Sequence, residues 1–368
     1  MTSSAPETHS DLNYSIRIQD AIPAVVKKYK KSGVQIAKEI WDLRRGPGRL
    51  TPNDYFQYQL FDDSRYSRAD KRRFISDGLV DKVTPKCSDQ SWIILTEDKW
   101  ISYQFLEKNG YRVPETIAVI DKTVRTFGST PKISTAGMLR EFLRTIDQYP
   151  VFAKSNTGLG SFGAFMITHV DGDALHLANA EPIGFDDLFA KMIGDRTYLL
   201  QRQVLNHHTI RTIADGLATV RILNFVRATD VLMPFALLKI AASGNIADNY
   251  WRPGNMIANV DVATGQLLRV VRGKGLDLEE LKTHPDNNLH FADIQIPYWA
   301  DVLSLARSCA TLFAPLRYHS LDIAVTPEGP MIIEINYGGA FTLPQIATGT
   351  GLLTDEISEF FRSCGFKC

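Results

Sequence analysis

Two neighbouring segments near the end of the chain carry the side chains best suited to bind a metal ion. Asp322 lies in one apolar run, Glu334 and Asn336 lie in the next, and a turn at residues 327–329 separates the runs. Because side chains alternate between the faces of a strand, Asp322, Glu334 and Asn336 are expected to share one face. Two carboxylates and an amide supply the hard oxygen ligands that Mg²⁺ prefers.

The turn determines which residues face each other in this predicted hairpin. A three-residue loop at 327–329 that ends in glycine suits a type I turn closed by a left-handed residue, and it places Thr326 opposite Pro330. Counting along both strands then places Asp322 opposite Glu334. The other face is expected to be uniformly apolar: Leu321, Ile323, Val325, Met331, Ile333 and Ile335. Because opposed like charges are destabilising, the pair indicates either a bound cation or a solvent-facing hairpin with incidental acids.

A lysine followed by a glycine-rich loop supplies candidate ligands for phosphate groups. Residues 150–154 favour a strand that ends at Lys154, and three glycines follow within residues 158–163. Their spacing fits the dinucleotide-binding fingerprint, which requires a helix to come next. Residues 164–170 instead favour a strand, which predicts a flap whose amides close over phosphates. Lys154 is then a phosphate ligand or an ordinary edge-strand lysine.

A second lysine is expected at the start of a helix. Residues 92–95 favour a short strand, and Thr96 suits the N-cap of a helix that ends near Gly110. Lys99 then lies in the first helical turn, where a cation opposes the helix dipole. An anionic ligand at that helix end would remove the penalty; the alternative is a tolerated surface lysine.

The elements that must position these residues form an α+β pattern. Apolar residues at helical spacing predict one helix over residues 19–45, and two shorter helices follow before the first strands. Residues 150–280 mostly favour strands joined by glycine-containing turns. A long apolar helix is expected over residues 298–314, and a last helix over residues 352–363. Antiparallel hairpins therefore carry the most distinctive residues.

Composition argues against a nucleic-acid or membrane partner. The 41 basic and 41 acidic residues cancel, and clusters at residues 27–31 and 71–73 are expected to be solvated helix faces. Apolar runs stay shorter than the roughly 18 residues of a membrane span. Residues 1–11 do not resemble a signal peptide. The four cysteines show no metal-binding spacing, so we expect a soluble protein of the reducing cytoplasm.

Taken in order, these segments resemble ATP-grasp enzymes, and most of all the sugar-transfer-associated branch. The resemblance covers about residues 90–350. It rests on five segments in the expected order: Thr96-Glu97-Asp98-Lys99, Val151-Phe152-Ala153-Lys154 with its glycine loop, Leu199-Leu200-Gln201-Arg202-Gln203-Val204, Asp248-Asn249 with Gly254, and Asp322 with Glu334-Ile335-Asn336. It implies an ATP-grasp fold, in which two α+β lobes grip ATP, with a helical N-terminal extension. The implied division is a helical region over 1–90, an N-lobe with the flap over 91–200 and a C-lobe with the metal-binding hairpin over 201–368.

The resemblance also implies a role for each matching residue. The implied ATP ligands are Lys99, Lys154, the flap residues Gly160, Ser161 and Phe162, the hinge residues Gln201, Gln203 and Val204, and His208 near the usual ribose position. The implied ligands of one or two Mg²⁺ ions, which Mn²⁺ can replace, are Asp322, Glu334 and Asn336. The implied catalytic residues are Arg221 and Lys239, at the γ-phosphate and acyl phosphate, and Arg252, at a substrate carboxylate.

The activity implied by the resemblance is ATP-dependent joining of a small-molecule carboxylic acid to an amine. The acid would be activated as an acyl phosphate, with release of ADP and phosphate. Two alternatives stay open: a phosphotransferase acting on a small molecule, and a non-catalytic nucleotide-binding module. Pro253 replaces the first of two glycines usual in the loop over residues 248–255. Helices replace the α/β domain with which many relatives begin, so the substrates stay open, and this helical region can pack on its own lobe or on a second subunit.

Overall fold

Two antiparallel-rich sheets organise the chain in the computed structural model, which describes residues 16–158 and 163–367. The predicted flap residues Gly160, Ser161 and Phe162 lie outside the described residues. Helices cover the faces of both sheets, and the α+β class expected from the sequence is confirmed.

Most of the helices lie before the first strand or after the last strand in the sequence. Within the described residues the helices are α1 Ile18–Tyr29, α2 Gly33–Arg45, α3 Pro52–Gln57, α4 Arg68–Arg72, α5 Val80–Cys87, α6 Ile94–Glu97, α7 Lys99–Lys108, α8 Ala136–Thr145, α9 Phe185–Asp187, α10 His208–Arg211, α11 Trp299–Leu312, α12 Thr342–Thr348 and α13 Asp355–Ser363.

The first sheet contains the strands that precede and follow the glycine-rich segment in sequence. Its strands are β1 Thr116–Ile120, β2 Lys132–Ile133, β3 Val151–Ser155, β4 Phe165–Asp171, β5 Ala174–Leu177, β6 Ile183–Gly184 and β7 Tyr198–Arg202. Their order is β2-β1-β7-β3-β4-β5-β6, and every pair except β1–β2 is antiparallel. A strand, β4, follows the glycines as predicted, and not the helix that a dinucleotide-binding loop requires.

The second sheet carries the hairpin predicted to bind metal. Its strands are β8 Thr219–Val226, β9 Val231–Ile240, β10 Met256–Val260, β11 Leu267–Arg272, β12 Glu279–Leu281, β13 Tyr318–Thr326 and β14 Gly329–Tyr337. Their order is β12-β11-β10-β9-β8-β13-β14, and all pairs are antiparallel. One face packs on α11, where Val220, Ile222 and Leu238 meet Val302 and Ala306.

The single helix predicted over residues 19–45 is wrong. The structure has α1 and α2, separated at Lys30, whose φ of 54° ends the first helix. Ser32 then caps α2 in a capping box with Gln35, which satisfies the free N–H groups of the helix start. A serine three residues before a glutamine is the sequence signal for this break.

Two of the basic residues expected on solvated faces are buried instead. Lys31 and Lys71 are 7% and 5% exposed. Both lysines pair with Glu39 and Asp63, at nitrogen–oxygen distances of 2.5–3.0 Å. Burial of a charge is tolerated when it is paired, and this cluster fastens α2 to the segment that contains α4.

The N-terminal helices pack on the same chain's second sheet. Tyr55, Phe56 and Phe61 are fully buried in one core with Leu237 and Ile257 of the sheet. Helix α12 completes this layer. The helical region therefore covers the face of the second sheet that α11 leaves open. The domain boundaries at residues 90 and 200 stay predictions.

None of the helices in the described parts of the chain combines the length and apolarity required to cross a lipid bilayer.

Candidate functional site

The hairpin of β13 and β14 presents its carboxylates as predicted, although its loop differs. Thr326 pairs with Gly329, so the loop has two residues and the predicted three-residue loop is wrong. A β-bulge between Asp322 and Ile323 restores the register, and Asp322 lies opposite Glu334 as expected. The bulge inserts one extra residue on β14, which shifts every later side chain to the other face.

The same bulge changes the predicted apolar face. Ile332 is fully buried in the core opposite Ile323. Ile333 is the extra residue, and it lines the cleft instead of the core. The uniform apolar face expected for Met331, Ile333 and Ile335 is therefore corrected: Ile332 and Ile335 face the core.

Asp322 is held by two cations from the neighbouring strands. Arg221 lies directly opposite it on β8 and donates from Nε and Nη2 to the two carboxylate oxygens, at 2.8 and 2.7 Å. Lys239 of β9 donates to Oδ2 at 3.1 Å. Asp322 is only 2% exposed. Burial opposes its charge, but Arg221 and Lys239 outweigh burial and hold the pKa of the Asp322 carboxyl well below its usual range.

Asp248 joins this charged group from the loop after β9. Lys239 Nζ lies 3.3 Å from its Oδ1, and Thr219 donates to its other oxygen. Burial raises the pKa of the Asp248 carboxyl despite the nearby lysine. Asp248 was part of a matching sequence segment, but only the fold shows that it shares Lys239 with Asp322.

Lys99 contacts both the hairpin and the start of the flap. Its Nζ lies 3.0 Å from Glu334 Oε1 and donates to the carbonyl of Gly158 at 2.7 Å. The lysine is 8% exposed. Lys99 therefore bridges the two sheets at the point where the flap begins.

The local structure before Lys99 differs from the expectation. The strand predicted at residues 92–95 is wrong, because a 3₁₀ turn at Gln90–Trp92 and α6 occupy the segment. The N-cap of α7 is Asp98 and not Thr96, since Asp98 accepts from the N–H of Ile101. Periodicity cannot distinguish a four-residue strand from a short helix.

Backbone N–H groups at the start of α7 already donate hydrogen bonds to protein groups. The carbonyl and side-chain oxygens of Asn156 accept from the N–H groups of Lys99 and Trp100. An anionic ligand at the helix end, as expected from the helix dipole, would find these donors occupied. A phosphate would meet the side chain of Lys99 instead.

Lys154 lies at the end of β3 and donates to the hydroxyl of Tyr103. That hydroxyl in turn donates to the carbonyl of Ile333 at 2.7 Å. Burial lowers the pKa of the Lys154 ammonium to about 8, although Glu334 and Asp322 favour its charge. Sequence reasoning missed Tyr103, whose only signal is its position four residues after Lys99 on one helix face.

A cavity of about 310 Å³ lies between the two sheets, at the small end of the range usual for ligand pockets. Its walls include the predicted hinge residues Gln201, Gln203 and Val204, and Lys154. Sequence reasoning missed its polar residues Asn179, Asp215 and Asn245. The only sequence signal was the Asp-Gly pair at residues 215–216, directly before a strand.

A smaller cavity of about 80 Å³ continues from the first and contains the charged group. Phe152, Lys154, Leu217, Ile246 and Ile333 line both cavities. The residues that line the smaller cavity and bear charge are Lys99, Lys154, Lys239, Asp248, Asp322 and Glu334. The arrangement joins a largely apolar chamber to a charged one, which suits a ligand with a flat ring and an anionic tail.

Four of the described predicted site residues line neither cavity: His208, Arg252, Arg221 and Asn336. His208 begins α10, is exposed, and lines neither cavity, whereas Asp215 supplies a carboxylate to the larger one. Arg252 lies in the turn between Asn249 and Asn255 and lines neither cavity. Arg221 reaches the site through Asp322, which it holds from behind.

The oxygen donors of the hairpin suit a divalent metal together with an anionic ligand. Asp322, Glu334 and Asn336 present two carboxylates and an amide on one face, and Asn336 donates weakly to Asp322 at 3.4 Å. Among the described residues, no three side chains drawn from His, Cys, Asp and Glu form a metal-binding group. Mg²⁺ is commonly held by one or two carboxylates plus substrate phosphates, so this donor set fits it.

Two sheets enclose a cleft. One sheet carries Lys154, a lysine of the kind that binds phosphate, and the other carries the paired carboxylates. This arrangement defines a class of proteins that grasp a nucleotide between two sheets. The chain matches the model of the sugar-transfer associated ATP-grasp family over residues 79–359. It belongs to that family, and its fold is an ATP-grasp fold with an N-terminal helical region. No curated protein matches it.

Several solved structures are similar to the chain at low identity. N5-carboxyaminoimidazole synthase from Aspergillus clavatus, solved with ADP and 5-aminoimidazole ribonucleotide, has 12% identity and a TM-score of 0.38 over 72% of this chain and 52% of that one. VanG D-Ala:D-Ser ligase from Enterococcus faecalis has 14% identity and a TM-score of 0.41, with 76% and 62% covered. D-alanine-D-alanine ligase from Helicobacter pylori has 8% identity and a TM-score of 0.41, over 75% of this chain and 61% of that one. The chain thus spans less than two thirds of each of these structures.

Proposed function

We propose that this protein is a Mg²⁺- and ATP-dependent ligase that joins a small-molecule carboxylic acid to an amine through an acyl phosphate. One observation carries the proposal. Asp322 and Glu334, on paired strands, line the same small cavity as the cations Lys99, Lys154 and Lys239, and this cavity adjoins the larger one of about 310 Å³. Membership of the ATP-grasp family supports it.

The larger cavity would hold the nucleoside. The hinge residues Gln201, Gln203 and Val204 would contact adenine, mainly through their backbone. Asp215 lies on the same wall and would accept from a ribose hydroxyl, the role that the sequence assigned to His208. The phosphates would then lie in the smaller cavity, beside Lys99 and Lys154.

The charged cavity would supply positioning and charge stabilisation for phosphoryl transfer. The reaction needs little covalent help from a protein. Lys154 and Lys239 would neutralise the transferred group, and Arg221 would fix Asp322 in place. Asp322, Glu334 and Asn336 would hold Mg²⁺, which offsets the negative charge of the phosphates when bound.

The chemistry explains why an acid requires ATP here. A carboxylate is a poor electrophile, and phosphorylation of one oxygen converts that oxygen into a leaving group. An amine then attacks the acyl carbon, phosphate departs, and an amide forms. Arg252 stays a candidate for holding the acid's carboxylate, although it lines neither cavity.

The test is incubation of the protein with ATP, Mg²⁺ and pooled amino acids and sugar acids. ADP, phosphate and AMP are quantified, and products are identified by mass. We expect ADP release that requires an acid plus an amine, with a product lighter by one water than their sum. Glu334→Gln should lower the rate by about 100-fold or more, the scale of losing one charge-stabilising group. Glu328→Gln, at the exposed turn of the same hairpin, is the matched control and should keep full activity.

Other outcomes would replace the proposal. AMP release contradicts an acyl phosphate. Phosphate transfer to a hydroxyl without amide formation indicates a phosphotransferase. Tight ATP binding without turnover, across all acid and amine pools, indicates a nucleotide-binding module.

A further inference from the structure

Most of the charged side chains in and beside the smaller cavity pair with one another. Three carboxylates face three cations within ion-pair distance: Asp248, Asp322 and Glu334 against Lys99, Arg221 and Lys239. Five of these six side chains are at most 14% exposed. Lys154 also lines the cavity, and its ammonium donates to the Tyr103 hydroxyl. A cation that enters alone must therefore break an existing pair in a poorly solvated place, where an uncompensated charge is costly.

Glu334 is the most accessible carboxylate of this group. Both oxygens of Asp322 accept from Arg221. Glu334 is 22% exposed, and its described ion pair is the one with Lys99. Access to the hairpin's oxygen ligands is therefore controlled by whether the Lys99 ammonium lies on Glu334.

Lys99 can leave Glu334 only if it finds another anion. Its second contact is the neutral carbonyl of Gly158, at the start of the flap. A phosphate group in the cavity would offer Lys99 a charged partner there. Movement of the ammonium to that phosphate frees Glu334 for a metal ion, and the metal in turn removes the repulsion between Glu334 and the phosphate.

We propose that Lys99 is a latch that makes the divalent metal and the nucleotide bind as a pair, each poorly without the other. This rests on the nucleotide-binding role of the proposed function. Coupling between two ligands is reciprocal, so each must strengthen the other by the same factor. Lys99 thereby opposes metal binding in the free protein and favours nucleotide binding, two effects of opposite sign from one side chain.

Because Lys99 is proposed to oppose metal binding and to favour nucleotide binding, measuring both affinities in a Lys99 variant tests the proposal. Mn²⁺ binding is measured by electron paramagnetic resonance, and ADP binding by calorimetry, for the wild type and Lys99→Met. In the wild type, saturating ADP should tighten Mn²⁺ binding by about tenfold or more, within the ordinary range of coupling. Lys99→Met should tighten Mn²⁺ binding without nucleotide, because Glu334 is no longer paired with Lys99, and should weaken ADP binding, because the phosphate loses the ammonium.

Control variants test whether the change in Mn²⁺ and ADP binding arises from the Lys99–Glu334 pair. Lys108→Met, at the exposed far end of the same helix, should bind Mn²⁺ and ADP as the wild type does. Adding Glu334→Gln to Lys99→Met should abolish the gained Mn²⁺ affinity. Lys99→Gln serves as a second variant if Lys99→Met does not fold.

The outcomes separate this inference from the proposed function. Unchanged nucleotide-free Mn²⁺ binding in both Lys99 variants overturns the latch, even if the enzyme is active. A wild type that does not bind ADP at all overturns the proposed function. In that case the Mn²⁺ measurements without nucleotide still decide whether Lys99 blocks Glu334.

Discussion

The carboxylate of Asp322 is almost completely removed from solvent, and it keeps its charge because Arg221 and Lys239 surround it. Removing one partner of such a pair leaves an uncompensated buried charge. These ion pairs restrict the side chain of Asp322 to one orientation, in which its carboxylate points towards the cleft. At the scale of single residues, the site is therefore organised by ion pairs that also act as structural contacts.

We expect Arg221→Met to lower the free energy of unfolding by about 3–5 kcal/mol, because Asp322 then lacks its bidentate partner. Urea denaturation measures the change. Arg227→Met is the matched control, since Arg227 pairs with Asp230 and Glu356 at the surface and should cost less than about 1 kcal/mol. Equal losses in the two variants would contradict the structural role of the Arg221–Asp322 pair.

The lowered pKa of Lys154 predicts a pH dependence of nucleotide binding. With a pKa of about 8, the ammonium loses its proton as pH rises above 8, and its attraction for phosphate is lost with it. ADP affinity should fall by up to about tenfold per pH unit above pH 8, the limit for linkage to one proton. Lys154→Arg should flatten the profile, because guanidinium stays protonated. A wild-type affinity that is constant from pH 7 to 10 would show that Lys154 does not contact the nucleotide.

Two elements bring the charged residues together. The bulged hairpin of β13 and β14 places Asp322 opposite Glu334, and α7 extends Lys99 and Tyr103 from one face towards that hairpin. Residues four apart on a helix are neighbours, so one helix supplies both contacts. The Tyr103 hydroxyl connects Lys154 of the first sheet to the backbone of β14 in the second.

Tyr103→Phe should destabilise the protein by about 1–2 kcal/mol, because the carbonyl of Ile333 and the ammonium of Lys154 each lose a hydrogen-bond partner. It should also weaken ADP binding, since Lys154 is no longer held in place. Unfolding and calorimetry measure the two effects. Tyr111→Phe removes a hydroxyl bonded to Ser308 at an exposed position and should change neither quantity much. A Tyr103→Phe protein with wild-type ADP affinity would leave Tyr103 a purely structural residue.

At the scale of the whole molecule, the N-terminal helices form part of the second sheet's core. Phe56 of α3 is fully buried in the same cluster as Leu237 and Ile257. A separate core beneath the first sheet contains Phe185. The helices therefore support the sheet that carries the carboxylates, and not the sheet that carries the flap.

Because α3 and β10 pack in the same hydrophobic core, we expect them to unfold locally together. Phe56→Ala should cost about 3–5 kcal/mol and lower hydrogen-exchange protection in α3 and β10 together, because both lose the same packing. Phe185→Ala, the matched control, should instead reduce protection in β4 and β5 of the first sheet. Loss of protection in α3 with β10 unchanged would show that the helical region opens independently of the second sheet.

Several features of the fold were predictable because they depend on nearby residues. The alternation along β13 and β14 put Asp322, Glu334 and Asn336 on one face, and the strand after the glycines excluded a Rossmann loop. The loop length and the bulge were not predictable from alternation. A two-residue loop with a bulge and a three-residue loop without one place Asp322 opposite the same partner, so the sequence pattern cannot distinguish them.

The sequence by itself determined the family to which the order of these segments belongs, and it predicted the residues that would carry the chemistry: the oxygen ligands of the hairpin, Lys99 and Lys154. Only the tertiary structure decided how their charges are paired. Arg221 and Asp322 are 101 residues apart, and Lys99 is farther still from Glu334 in sequence. Such contacts depend on strand order and on the packing of α7 between the sheets. Local periodicity contains no information on either, so only the fold shows the Lys99–Glu334 ion pair and the place of Asp215 in the wall of the larger cavity.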